Sequence, residues 1–204
     1  KGIQFGGDRG YETTKTLVDL VNNKNFSDDA NGSGLSALRN KKVDAYFSGS
    51  WDYDAVKKAL GKNFGAAQLP TVKINGQDQQ LKSFAGSKAI GVNPNSKNME
   101  VAVKLAAYLG GEKAQKDHYT LRSIIPCNTK LLKESDIKSD PLIAAQNNTI
   151  NNTSILQPTI TEMGNYWTPV ETFGKALVAK QDNASNYKKK TDAFQKSLNT
   201  DVTK

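Results

Sequence analysis

The apolar positions of this chain fall into short runs whose period switches between that of a helix and that of a strand. Leu17, Val18, Leu20 and Val21 lie on or beside one face of a predicted helix over Tyr11 to Asn23. Asn31-Gly-Ser-Gly34 predicts a turn into a second short helix near Leu35 and Leu38. Val43 to Ser48 carries β-branched and aromatic residues bounded by turn residues, which predicts a strand. A helix is expected over Asp52 to Leu60, with Asp52 and Asp54 at its positive end and Gly61 closing it. Phe64 to Leu69 predicts another strand, stopped by Pro70. Lys73 to Gln80 predicts a hairpin on Asn75-Gly76. A further strand is expected within Ser83 to Val92.

The second half is more helical. Asn93 to Lys97 predicts a loop, and Met99 to Leu109 an amphipathic helix with Val101, Leu105 and Tyr108 in register. Gly110-Gly111 ends it, and Glu112 to Leu121 continues as a second helix. Ile124 to Pro126 is expected to be extended, with a short charged helix within 130–143. The Asn/Thr-rich stretch Gln146 to Ser154 predicts a surface loop. Thr168-Pro-Val-Glu171 fits a capping box that starts a helix through Val170, Phe173, Leu177 and Val178. Asn183 is the expected cap of a last helix whose inner side holds Tyr187, Phe194 and Leu198.

Composition narrows the chemistry. The chain has 204 residues, 37% of them hydrophobic, and a mean hydropathy of -0.60. No apolar run approaches a membrane span. The single Cys127 excludes an internal disulfide, and the single His118 excludes His/Cys metal clusters of the usual spacing. No metal and no cofactor is expected. The net charge of +8 comes from scattered lysines, Lys188 to Lys190 being the one run of three. They make a solvated surface without an aromatic-rich basic stripe, so no nucleic-acid partner is expected.

Two tryptophans stand at element ends. Trp51 follows Gly49-Ser50 and opens a predicted helix; Trp167 stands before the helix that Thr168 would cap. A wide ring there either stacks on the apolar face of a sugar or packs as a partly buried core aromatic. Tyr53 either adds to the stack or packs beneath it. Tyr166 suits packing, and Glu171 either closes the capping box or meets ligand. Asp8 and Arg9 are more remote candidates.

Several segments, in order, resemble the C-terminal half of an extracellular solute-binding protein of the maltose/maltodextrin-binding type that serves an ABC importer. They are Leu17 to Lys24, Leu38 to Trp51 with its Gly-x-Trp, Phe64 to Thr71 with its Leu-Pro, and Phe84 to Val92. The helix pair Ala102 to Gln115 and Pro158-x-x-x-Glu-Met-x-x-Tyr-Trp167 complete the match. The resemblance implies an α/β, periplasmic-binding-protein-like (type II) two-lobe fold. This chain would form mostly the second lobe plus a returning segment of the first. Residues 1–84 and 142–204 are then the second, C-terminal lobe; residues 86–140 belong to the first. The rest of the first lobe would lie upstream of Lys1.

The resemblance implies capture of maltose- or maltodextrin-like oligosaccharides in an interlobe cleft, with Trp51 and Trp167 stacking on glucose rings. Tyr53, Tyr166 and Glu171 are the neighbouring ligand-binding candidates. Glu171 departs from the family, which carries an Arg one turn after the second Trp. The implied partners are the oligosaccharide and the membrane permease of the importer. The implied location is extracellular, cell-surface or periplasmic, with anchoring (as a lipoprotein) or export through an upstream region. Without its upstream lobe, the 99–109 helix is expected to drive self-association or local disorder within 90–140. Two other classes stand beside this one. A solute-binding protein for a different sugar or solute would keep the fold. A glycoside hydrolase would need two carboxylates from Asp52, Asp54, Glu162 and Glu171. The expectation is a binding protein, not an enzyme.

Overall fold

The structure, a computed structural model, describes residues 2–29 and 31–200. Expectations that touch Lys1 or 201–204 lie outside the described residues. The chain divides into two compact units, residues 1–37, 70–81 and 158–204 in one, and 38–69 and 82–157 in the other.

The first unit is built on three helices: α1 (Gly7–Val21), α8 (Trp167–Val178) and α9 (Tyr187–Leu198). Val18, Phe173, Leu177, Phe194 and Leu198 form its core, with Ile3, Phe5, Val170 and Tyr187 packed around them. The rings of Phe173 and Phe194 stack at 4.2 Å, and Phe5 meets Phe194 edge-on at 4.9 Å. Val18, Phe173, Leu177, Phe194 and Leu198 are apolar positions that the helical period of the sequence selects. Beneath them Thr191 donates to Thr14 at 2.6 Å, so both buried hydroxyls are satisfied. The side chain of Gln195 on α9 accepts from the amides of Phe5 and Gly6 and donates to the carbonyl of Ile3. One amide thus pairs an extended segment as a neighbouring strand would. The hairpin β1 (Thr71–Ile74) and β2 (Gln77–Gln80) is antiparallel, with Lys73 opposite Asp78. Asn75 (φ 48) and Gly76 (φ 74) make its left-handed turn.

The second unit holds α3 (Tyr53–Leu60), α4 (Met99–Gly110), α5 (Glu112–Arg122), α6 (Ser135–Lys138) and α7 (Pro141–Asn148). Two short parallel strands, β3 (Ser83–Ala85) and β4 (Ser154–Leu156), pair Phe84 with Ile155. Leu131, Ile137 and Ile143 are its buried core, with Tyr119, Ile125 and Leu132 against them. The helix α2 (Gly34–Arg39) joins the units in sequence. On α4, Val101, Leu105 and Tyr108 keep one apolar face exposed.

Several expectations are corrected. Val43 to Ser48 and Phe64 to Leu69 are not strands. A strand pattern becomes a strand only where a neighbour supplies a ladder, and none is assigned to either stretch; Phe47 stays 66% exposed. Gln146 to Ser154 is not a surface loop. The helix α7 runs on through a wider turn, Thr149–Thr153, and Thr153 is buried. The hydroxyls of Thr149 and Thr153 bond the carbonyls four residues back, which keeps polar residues inside a helical path. The capping box fails: α8 begins at Trp167, with no side-chain cap, and Lys175 takes the Glu171 carboxylate at 2.6 Å. Asn183 does not cap α9, which starts at Tyr187. Its side chain accepts from Ser185, while Asn186 accepts from the Asn183 amide. The first helix starts at Gly7, four residues before the expected Tyr11.

Candidate functional site

Trp51 sits in a single 3-10 turn, Ser50–Asp52, that runs directly into α3. The turn is held by Ser48, whose hydroxyl donates to the Asp52 carboxylate at 2.5 Å, and by the Asp52 amide on the carbonyl of Gly49. The indole folds back over Gly49. A methyl group on that glycine would stand 2.2 Å from the ring carbon Cζ3. The ring therefore owes its seat to a residue without a side chain. It is 82% exposed, which rules out a place in the core.

Tyr53, two residues on, is buried at 5% exposure. Its ring meets Phe64 edge-on at 5.2 Å. Its hydroxyl donates to the Asp140 carboxylate, 3.0 Å from each oxygen, and accepts from Lys57 Nζ at 2.8 Å. Tyr119 on α5 donates to the same carboxylate at 2.9 Å. Asp140 also caps α7, accepting from the Leu142 amide at 2.8 Å. Burial pushes the Tyr53 phenol up; the Lys57 contact offsets part of that and Asp140 adds to it. Burial and Asp140 push the Tyr119 phenol up further. Asp54 accepts from Ser123 at 2.6 Å, a second tie between α3 and the end of α5.

In the other unit, Trp167 is the first residue of α8 and is 51% exposed. Tyr166 packs on the helical core and meets the Trp167 ring edge-on at 5.2 Å. Glu171 lies one turn on, exposed, its carboxyl held below the usual range by the Lys175 ammonium. Asp8 and Arg9 are exposed in the first turn of α1. Of the acid candidates, Asp52, Asp54 and Glu171 are engaged by Ser48, Ser123 and Lys175. Among the described residues no group of three or more His, Cys, Asp and Glu is placed to hold a metal ion. No helix among them is long and apolar enough to cross a membrane.

Sequence reasoning missed Asp140, Tyr119 and Gly49. Asp140-Pro141 carries a legible helix-start signal. Its partners, Tyr53 and Tyr119, lie 87 and 21 residues away in sequence, beyond any local pattern.

An open indole on a fixed turn, with charged and hydroxyl side chains around it, suits a ligand that has flat apolar faces and a polar rim. The chain is similar to several known proteins. The chain is 44% identical to a protein whose structure was solved with acarbose, with a TM-score of 0.90. That match covers 97% of this chain and 53% of the other. The maltodextrin-binding protein MalE1 from L. casei BL23 is 26% identical, with a TM-score of 0.80 and coverage of 97% and 53%. The maltose-binding MalE from Listeria monocytogenes, in complex with maltose, is 25% identical, with a TM-score of 0.71 and coverage of 98% and 51%. The chain thus spans about half the length of these proteins, and their fold is the periplasmic-binding-protein-like type II fold expected from the sequence. A galactooligosaccharide-binding protein of Bacillus subtilis (strain 168) is 34% identical over 131 residues, 64% of this chain and 30% of that protein. The bacterial extracellular solute-binding protein family matches residues 6–145, more than half of the chain, and the chain belongs to that family.

Proposed function

We propose that this chain is the carbohydrate-binding part of an ABC importer's solute-binding protein, and that it captures maltose- or maltodextrin-like oligosaccharides. The observation that carries this reading is the exposure of both tryptophans in a family of solute carriers. A pyranose has apolar C–H faces and a rim of hydroxyls. Trp51 and Trp167 each offer a face for the former, with an aromatic contact worth about 0.5–1.5 kcal/mol beyond area burial. Tyr166 meets the Trp167 ring edge-on, Tyr53 anchors the start of α3 two residues after Trp51, and Glu171 stands near enough along α8 to meet a hydroxyl rim. The loaded protein hands its sugar to the membrane permease outside the cytoplasmic membrane, and no bond is cleaved. Calorimetric titration of the whole protein with maltodextrins tests this. Saturable binding with the sugar recovered intact is expected; no heat with any of them, or hydrolysis, overturns it.

A second reading keeps the fold and changes the sugar. It rests on the galactooligosaccharide-binding relative and on the carboxylate at Glu171. The same titration with galactooligosaccharides separates the two.

Gly49→Ala tests the ring's seat. The added methyl forces the indole to turn, which the exposed ring does without disturbing the core. Affinity is expected to fall by about 1 kcal/mol, the stacking increment. The Tm should stay within about 2 °C. Unchanged affinity would mean that the ring's orientation is not used.

The lobe division is part of this proposal: 86–140 in the first lobe, 1–84 and 142–204 in the second. Val101, Leu105 and Tyr108 then face the remainder of the first lobe. The isolated 22.2 kDa chain is expected to cover them by self-association, visible in sedimentation as larger species. A purely monomeric profile at high concentration would count against that assignment.

A further inference from the structure

We propose that Asp140 is the positioning residue for Trp51, acting through Tyr53, with Tyr119 as its counter-support. The proposal rests on the stacking role of Trp51 given above. Burial does not fix Trp51: it is 82% exposed, on a turn of three residues. What anchors that turn is the next residue but one. Tyr53 is the buried end of α3, and α3 continues the turn without a break.

The far end of Tyr53 reaches the Asp140 carboxylate at 3.0 Å. That carboxylate is itself fixed from two other directions, by the Tyr119 hydroxyl at 2.9 Å and the Leu142 amide at 2.8 Å. Three elements, α3, α5 and α7, therefore meet on one side chain. Three donors from three elements fix this side chain more firmly than any one of them would. The raised phenol of Tyr119 keeps its proton on the tyrosine, so its hydroxyl remains a donor well into alkaline solution. Lys57 closes the group by donating to Tyr53 from the same helix, its Nζ 5.0 Å from the ring centre. With the Asp54–Ser123 bond beside it, α3 is held at its first turn, where Trp51 emerges. A side chain that touches no ligand thus sets the attitude of one that does.

The test labels the whole protein with fluorotryptophan and identifies the Trp51 resonance by its loss in Trp51→Phe. Tyr53→Phe removes only the hydroxyl that reaches Asp140. Asp140→Asn keeps the α7 cap, because asparagine caps as well as aspartate, and removes the charge. Both are expected to shift or broaden the Trp51 resonance without ligand, and to weaken maltodextrin binding by about threefold to tenfold, the range for one lost hydrogen bond. Because both changes act on one hydrogen-bonded group, the double variant should lose less than the sum of the two single ones. A Trp51 resonance unmoved in both variants overturns the proposal. The resonance is read without sugar, so it stands apart from the stacking reading. A shifted resonance with unchanged affinity upholds the positioning and refutes the stacking.

Discussion

Trp51→Ala is expected to weaken maltodextrin binding roughly thirtyfold to a hundredfold, about 2–3 kcal/mol. One face of an indole offers on the order of 80 Å² to a sugar, worth about 2 kcal/mol at about 25 cal/mol/Å². The aromatic contact adds about 0.5–1.5 kcal/mol, and ordering the sugar removes part of the sum. The fold loses nothing comparable, because the ring is 82% exposed and its turn is fixed by Ser48 and Gly49. Calorimetry paired with thermal denaturation checks both halves. Trp51→Phe should recover part of the loss by keeping a smaller stacking face. Affinity within a factor of about two of the parent in Trp51→Ala would remove the indole from the site.

Gly10→Ala should destabilise the helical unit by about 3 kcal/mol, a Tm lower by about 6–12 °C. Two effects compete here. Alanine is the better helix former by about 1 kcal/mol, which favours the substitution inside α1. Against this, the new methyl would stand 1.7 Å from the carbonyl oxygen of Phe5 and 3.0 Å from Thr191 Cγ2. The carbonyl is backbone, and the Phe5 segment is clamped by Gln195, so it has nowhere cheap to go. Displacing it also pulls Phe5 from the rings of Phe173 and Phe194. The clash wins by a wide margin. Thermal denaturation with a Tm equal to or above that of the parent would show that the segment moves freely.

The helical core was legible because period and packing agree. Phe173, Leu177, Phe194 and Leu198 recur at helical spacing, and each is buried. The hairpin was legible because Asn75-Gly76 demands left-handed angles that few other pairs accept. Where the sequence misled, the deciding partner was distant. Val43 to Ser48 has a strand's residues and no ladder neighbour. Thr149 and Thr153 read as loop formers until their hydroxyls bond the turn before them. Glu171 was placed three residues after Thr168 for a cap, and Lys175 on the next turn holds it instead. Both tryptophans announced themselves in the sequence by rarity and position. The carboxylate that Tyr53 reaches did not, since Asp140 acquires its meaning only when α3 and α5 are folded against it.

The most direct test is a crystal structure of the whole protein with a bound maltodextrin. The prediction is a pyranose ring lying flat over the Trp51 indole, its C–H face at van der Waals distance, about 4 Å. A sugar bound with that indole bare to solvent would contradict the account at its centre.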